Sequence, residues 1–175
     1  VTRRVHAAPD SQDTVDAVAA QWRAVRPDVD HSPLEVVARV SRLSRLVDRR
    51  LGENFARHDL EDWMYDVLAT LRRGGPPYTL TPTELVRQAM VTTGAITNRV
   101  DRLEARGLVE RVPGTDRRSV PVRLTAAGLA LVDEVVAGHM AVEDALLSAL
   151  PAGRRAELAD ALRTVLVALG DVPAR

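Results

Sequence analysis

The residues able to do chemistry in this sequence gather between Thr93 and Arg118, and their types are those that read polar edges and phosphates. Thr97, Asn98, Asp101 and Arg102 supply a hydroxyl, an amide, a carboxylate and a guanidinium, the donors and acceptors that match base edges in a DNA major groove. Thr93 and Gly94 precede them, where backbone N–H groups at a helix start can meet a phosphate. Arg117 and Arg118 follow Asp116 in a turn from which arginines can enter a minor groove. A solvated helix face and a solvated turn are the alternatives, so the elements that carry these residues have to support the reading.

Other chemistries find little material. There is no cysteine, hence no disulfide, thiolate nucleophile or Cys-rich zinc site. His6, His31, His58 and His139 are scattered, and no Gly-rich phosphate loop or Ser-His-Asp signature is present. Neither an enzyme, a metal site nor a cofactor is expected. Net charge is zero, with 24 basic and 24 acidic residues, and every basic residue is arginine. The stretch from Thr92 to Arg123 nevertheless carries +3 and the remainder −3, which places a basic segment inside a mildly acidic chain. At 46% hydrophobic and 27% charged, the 175 residues suit one ordinary globular core with helical arms. No apolar run approaches the ~20 residues of a membrane helix, and the first fifteen residues lack the apolar stretch of a secretory signal, so a cytoplasmic protein is expected.

The basic segment sits among recognisable elements. Asp13 caps a short helix carrying Val15, Ala19 and Trp22, stopped by Pro27. Ser32-Pro33-Leu34-Glu35 reads as a capping box opening a long helix to about Arg57. Asp59 is expected to cap the next, whose Trp63, Met64, Val67, Leu68 and Leu71 form one stripe ended by Gly74-Gly75-Pro76-Pro77. Thr81-Pro82-Thr83-Glu84 opens a helix of about two turns, and Val91 to Gly94 makes a turn. A second helix runs to Arg106 with Ile96, Val100 and Leu103 buried and Gly107 as its stop. That is a helix-turn-helix. Two period-two runs, 108–112 and 119–124, flank Pro113-Gly114-Thr115-Asp116 as a two-stranded wing, with Pro121 confining the second run to an edge. Thr125 caps a long helix to about Leu150, and Pro151 starts a last one with Leu158, Leu162, Val165, Leu166 and Leu169 along its apolar side. One small subunit cannot cover all this apolar surface, so the terminal helices are expected to pack in a two-fold dimer.

Several stretches carry a specific resemblance. Asp66-Val67-Leu68-Ala69-Thr70-Leu71, Leu80-Thr81-Pro82-Thr83-Glu84-Leu85, Thr97 to Glu104, Gly107-Leu108-Val109-Glu110-Arg111, Asp116 to Val120 and Leu124-Thr125-Ala126-Ala127-Gly128 together resemble the MarR family of winged-helix repressors over about Pro33 to Leu169. The early helix with Gln21-Trp22, Arg26-Pro27-Asp28 and the stretch from Asp66 resemble its urate-responsive branch. That resemblance implies a ligand site at Trp22, Asp66, Arg99 and Arg111. The chemistry is coherent, since guanidinium forks suit the anionic edge of a planar purine, an indole supplies a face, and a carboxylate accepts a ring N–H. Packing, ion pairing and solvation remain the ordinary roles for the same four residues, and xanthine, another organic acid or a phenolic antibiotic would suit the same groups.

These observations predict a mainly α chain with a small β-wing, dimerised through its N- and C-terminal helices. Residues 1–31 form an N-terminal extension with an additional helix, 32–58 and 126–175 the dimerisation helices, and 59–125 the winged helix-turn-helix. The expected partners are an operator in double-stranded DNA, a second copy of the chain and a small anionic ligand, urate or a related purine, whose binding shifts the recognition helix. A MarR-type regulator sensing another ligand, and a helical protein that binds no DNA, are the alternatives.

Overall fold

The structure is a computed structural model that describes residues 11–89, 96–114 and 120–172. Its elements are α1 (Thr14–Val25), α2 (Ser32–Ala56), α3 (Asp62–Arg73), β1 (Thr79–Leu80), α4 (Pro82–Gln88), α5 (Ile96–Ala105), β2 (Val109–Arg111), β3 (Val122–Leu124), α6 (Ala126–Leu146) and α7 (Ala152–Ala168). Two compact units divide the chain, one holding residues up to Arg50 with Glu143–Val172, the other Leu51–Val142. The breaks fall inside α2 and α6, not at the helix ends near residues 58 and 125.

In the first unit α1 begins at a capping box. Asp13 accepts from the amides of Val15 and Asp16 at 2.7 and 3.0 Å, and Asp16 accepts from the Asp13 amide at 2.8 Å. Arg39 of α2 pairs with both carboxylates, at 2.8 and 2.6 Å, which holds α1 against α2 and keeps the Asp13 carboxyl below its usual range. Val15 and Ala19 of α1 are buried. The start of α2 departs from the expected capping box. Asp30 takes both the amide and the hydroxyl of Ser32, each at 2.9 Å, while Glu35 pairs with Arg23 and Arg39 instead of reaching back. Asp30 thus takes the Ser32 amide that a capping box would give to Glu35, whose own carboxylate is occupied by two arginines. No residue of α7 is buried, and Val165, Leu166 and Leu169 are exposed.

The second unit holds the main core, in which Met64, Val67, Leu68 and Leu71 of α3 meet Leu85, Val100, Leu103, Val109, Val122 and Val132. Asp59 does not cap α3. It takes φ +54° in the connecting turn, its carbonyl accepts from Arg106 at 2.6 Å, and Glu61 stands at the cap position without a side-chain bond to it. The sheet has three strands in the order β1-β3-β2, all antiparallel, with Thr79 opposite Arg123 and Val109 opposite Leu124. The second wing run is therefore the central strand, not an edge. Pro121 lies just before β3, where its missing N–H is harmless and its carbonyl accepts from Val112 at 2.9 Å. At the start of α6, Thr125 Oγ1 accepts from the Gly128 amide at 3.0 Å, as its cap position predicts.

Candidate nucleic-acid interface and ligand site

Helix α4 is held at its N-terminus by the capping box that the sequence predicts. Glu84 accepts from the Thr81 amide and hydroxyl at 2.8 Å, and Thr81 Oγ1 accepts from the Glu84 amide at 3.2 Å. These donors keep the Glu84 carboxyl below its usual range. Helix α5 follows, burying Ile96, Val100 and Leu103 against the core. That one-sided burial leaves Thr97, Asn98, Asp101 and Arg102 exposed. The remaining expected contacts, Thr93, Gly94, Arg117 and Arg118, lie outside the described residues.

Two of the exposed residues are engaged by neighbours. Arg102 pairs with Glu61 and lies over the ring of Trp63, 4.7 Å from its centroid. Trp63 Nε1 donates to Glu61 at 2.8 Å, and this bond, with Arg102 second, holds the Glu61 carboxyl below its usual range. Asp101 pairs with Arg111 at the end of β2.

Of the four ligand candidates, three belong to the second unit. Arg99 is half-buried, with its guanidinium 5.6 Å from the Trp63 centroid and one Nη enclosed without a hydrogen-bond partner among the described residues. Asp66 is half-buried on α3 and has one carboxylate oxygen enclosed. Arg111 is clasped by the Asp101 and Glu104 side chains, and its amide donates to Glu104 at 3.1 Å. Asp101 is the main reason its guanidinium is held above the usual arginine range. Arg111 also borders a cavity of about 230 Å³ with Pro82, Thr97, Val100 and Val122. Trp22 belongs to the first unit, is 48% exposed, and has its ring 6.2 Å from that of His31.

The helix stripe of Trp63 is legible in the sequence, but its grip on two arginines is not. Glu61 and Trp63 stand close together at the start of α3, and nothing in their spacing points to Arg102, 41 positions away.

Residues 58–119, which contain α3, α4, α5 and β2, match the MarR family model. Over 135 residues the chain is 42% identical to the HTH-type transcriptional regulator PecS of Dickeya dadantii, covering 77% of this chain and 81% of that one. The chain belongs to the MarR family of transcriptional regulators. A second relative, the HTH-type transcriptional repressor NicR of Pseudomonas putida, is 30% identical over 143 residues, 79% of this chain and 89% of its own. Among solved structures, a mutant MarR from E. coli complexed with operator DNA superposes with a TM-score of 0.66 at 28% identity, covering 83% of this chain and 97% of that one. Membership in the MarR family accounts for the helix-turn-helix and wing, and it makes the chain a regulator rather than an enzyme. Among the described residues no helix is long and apolar enough to cross a membrane.

Proposed function

We propose that this MarR-family chain is a repressor that binds a pseudo-palindromic operator as a homodimer and releases it on binding a small anionic ligand, urate or a related purine. The observation that carries the DNA reading is the division of α5, which buries Ile96, Val100 and Leu103 and turns Thr97, Asn98, Asp101 and Arg102 outward. The operator complex of the E. coli relative and the repressor name of the P. putida relative support the same reading. A recognition helix from each protomer enters a major groove, the two about one turn or ~10 bp apart. Thr93 and Gly94 then meet phosphate at the helix start, and Arg117 and Arg118 reach the flanking minor grooves. The exposed apolar residues of α2 and α7, among them Val36, Val37, Val165 and Leu166, support dimerisation through the terminal helices.

The ligand reading rests on Arg99. One Arg99 Nη is enclosed without an acceptor among the described residues; such an N–H is costly, and a planar anion lying beside it supplies a partner. In this proposal Arg99 and Arg111 bind the anionic edge and Asp66 takes a ring N–H; Trp22 is the fourth residue that the resemblance implies. Arg99 shares α5 with the base-reading residues, so an event at one is felt by the others.

The test is fluorescence anisotropy at fixed salt with the DNA upstream of the protein's own gene, titrated with urate. The expected result is loss of binding with urate, blunted in an Arg99→Ala variant that still binds DNA. Tight binding indifferent to urate removes the ligand assignment and leaves the DNA-binding regulator; no salt-dependent binding removes both.

A further inference from the structure

Arg102 does not stand free on α5. Its Nη2 pairs with Oε1 of Glu61, Oε2 of the same carboxylate accepts from Trp63 Nε1 at 2.8 Å, and the guanidinium carbon lies 4.7 Å from the centroid of that indole. Three side chains thus close a ring. Arg99, one turn earlier on α5, shares the same indole at 5.6 Å. Trp63 is itself packed against the core of its unit, so the platform is anchored, whereas Glu61 and Arg102 are about half exposed and open to an incoming partner.

An arginine on a helix surface has many rotamers, and a fork of N–H donors reads a base only when its plane is aligned with two acceptors. Stacking on an indole fixes the plane of the guanidinium, and an ion pair at one Nη fixes its rotation within that plane. Nη2 carries two hydrogens, so with one engaged by Glu61 the other remains, and together with an N–H of the adjacent Nη1 or Nε it forms a two-donor fork for an acceptor pair outside the ring. In a major groove the edge that presents two acceptors side by side is that of guanine.

We propose that Trp63 and Glu61 are positioning residues for base readout, presetting the Arg102 fork for a guanine edge and tying it through the shared indole to Arg99. The inference rests on the assignment of α5 as the recognition helix and extends it to two residues of α3 that need not touch DNA. It also gives the ligand-binding arginine a direct mechanical neighbour in the DNA-reading one, since a ligand that draws Arg99 off the indole changes the surface on which Arg102 rests.

The test measures affinity for the operator, for each single-base-pair variant across one half-site and for scrambled DNA. Parent, Glu61→Gln, Trp63→Leu and Trp63→Phe are compared, each with Arg102 present and with Arg102→Ala. Glu61→Gln is expected to tighten scrambled DNA slightly by removing a negative charge near phosphates. It should also lower preference at one G·C position by roughly three- to ten-fold. Trp63→Leu is expected to lose preference at the same position, and Trp63→Phe, which keeps the ring face, to recover part of it. With Arg102→Ala in place, none of the three changes preference there any further. Equal factors on operator and scrambled DNA, or losses that persist without Arg102, overturn the proposal while leaving the DNA-binding function intact. A parent that shows no operator preference overturns the assignment of α5, and this inference with it. Thermal unfolding identifies a variant that has lost its fold, in which case the half-exposed Glu61→Gln decides alone.

Discussion

Replacing Gly128 by alanine should destabilise the protein and weaken its grip on DNA, because this position has no room for a single methyl group. A Cβ built there would lie 1.9 Å from the carbonyl oxygen of Leu108, 2.9 Å from its carbonyl carbon and 3.3 Å from its Cα. The obstacle is backbone, so it cannot swing aside, and the two segments must part by more than about 1 Å to reach ordinary contact. That carbonyl also accepts from the Thr125 amide at 3.1 Å, and the Thr125 hydroxyl is shared between the Gly107 and Leu108 carbonyls at 2.7 and 3.2 Å, contacts that parting would stretch. Overpacking of this kind costs roughly 1–3 kcal/mol, and two weakened hydrogen bonds add about 1–2 kcal/mol. Alanine's better helix propensity returns at most about 1 kcal/mol. The net loss is about 1–5 kcal/mol, or a fall of roughly 2–20 °C in Tm for a chain of this size. Leu108 follows Gly107, whose φ of +68° ends α5, so the displacement reaches the recognition helix and operator affinity should fall as well. Thermal and urea unfolding of Gly128→Ala beside Gly153→Ala makes the comparison. Gly153 lies in α7 with nothing within 4 Å of its would-be Cβ, so alanine there should be neutral or stabilising by up to about 1 kcal/mol. A Gly128→Ala protein that melts at or above the parent would refute the steric reasoning.

Five further outcomes are expected. Thr81→Ala should cost about 1 kcal/mol by opening the capping box of α4. Because Glu84 is held below its usual pKa by the Thr81 amide and hydroxyl, its stabilisation is complete above about pH 4.5 and fades as pH falls through the lower folded-state value. Urea midpoints at pH 6 and at progressively lower pH should therefore converge for parent and Glu84→Gln, and parallel curves would remove that linkage. Asn98→Ala and Arg102→Ala should each weaken operator binding by about 1–3 kcal/mol and relax base preference. Replacing Arg117 or Arg118 should weaken operator and scrambled DNA alike and lower the salt slope by about one, read from anisotropy at several salt concentrations. Leu162→Glu, placed on the exposed apolar side of α7, should shift the protein to monomer in sedimentation equilibrium; a dimer unchanged in affinity would move the interface elsewhere.

Elements fixed by neighbours in sequence were legible, and those fixed by distant ones were not. Asp13 with Asp16 and Thr81 with Glu84 close capping boxes within four residues, and Ile96, Val100 and Leu103 mark the inner face of α5 by period alone. Gly107 ends that helix with a positive φ, which glycine takes without strain. Where two local signals competed, spacing could not rank them, so Asp30 displaced the expected box at Ser32 and Asp59 went to a turn clasped by Arg106. Strand β1 is two residues long and has no periodicity to detect. It pairs with β3 across more than forty positions and makes β3 central. The candidate site shows the same division. Outward polar residues on α5 follow from the wheel, whereas the partners that orient Arg99, Arg102 and Arg111 come from other elements or from the far side of a turn.

The partners of Arg111 change how ligand and DNA would oppose each other. An empty fork would simply accept an anion, but Arg111 already holds Asp101 and Glu104, both on the recognition helix. A ligand anion that recruits Arg111 must therefore exchange with these carboxylates, while Arg99, with an enclosed Nη that has no acceptor among the described residues, offers the first contact without exchange. The ligand response thereby engages two carboxylates of the recognition helix itself, beside the Asp66 that takes the ring N–H in the proposed reading. Once released from Arg111, Asp101 is an uncompensated negative charge on the exposed side of α5, facing a polyanion. At a separation of about 4 Å in water such a charge costs about 1 kcal/mol against one phosphate. Two protomers double it to about 2 kcal/mol, a loss of roughly thirty-fold in operator affinity. On the proposed reading, ligand can therefore weaken DNA binding through a change of ion-pair partners at the base of the wing, before any large movement of the helix is required.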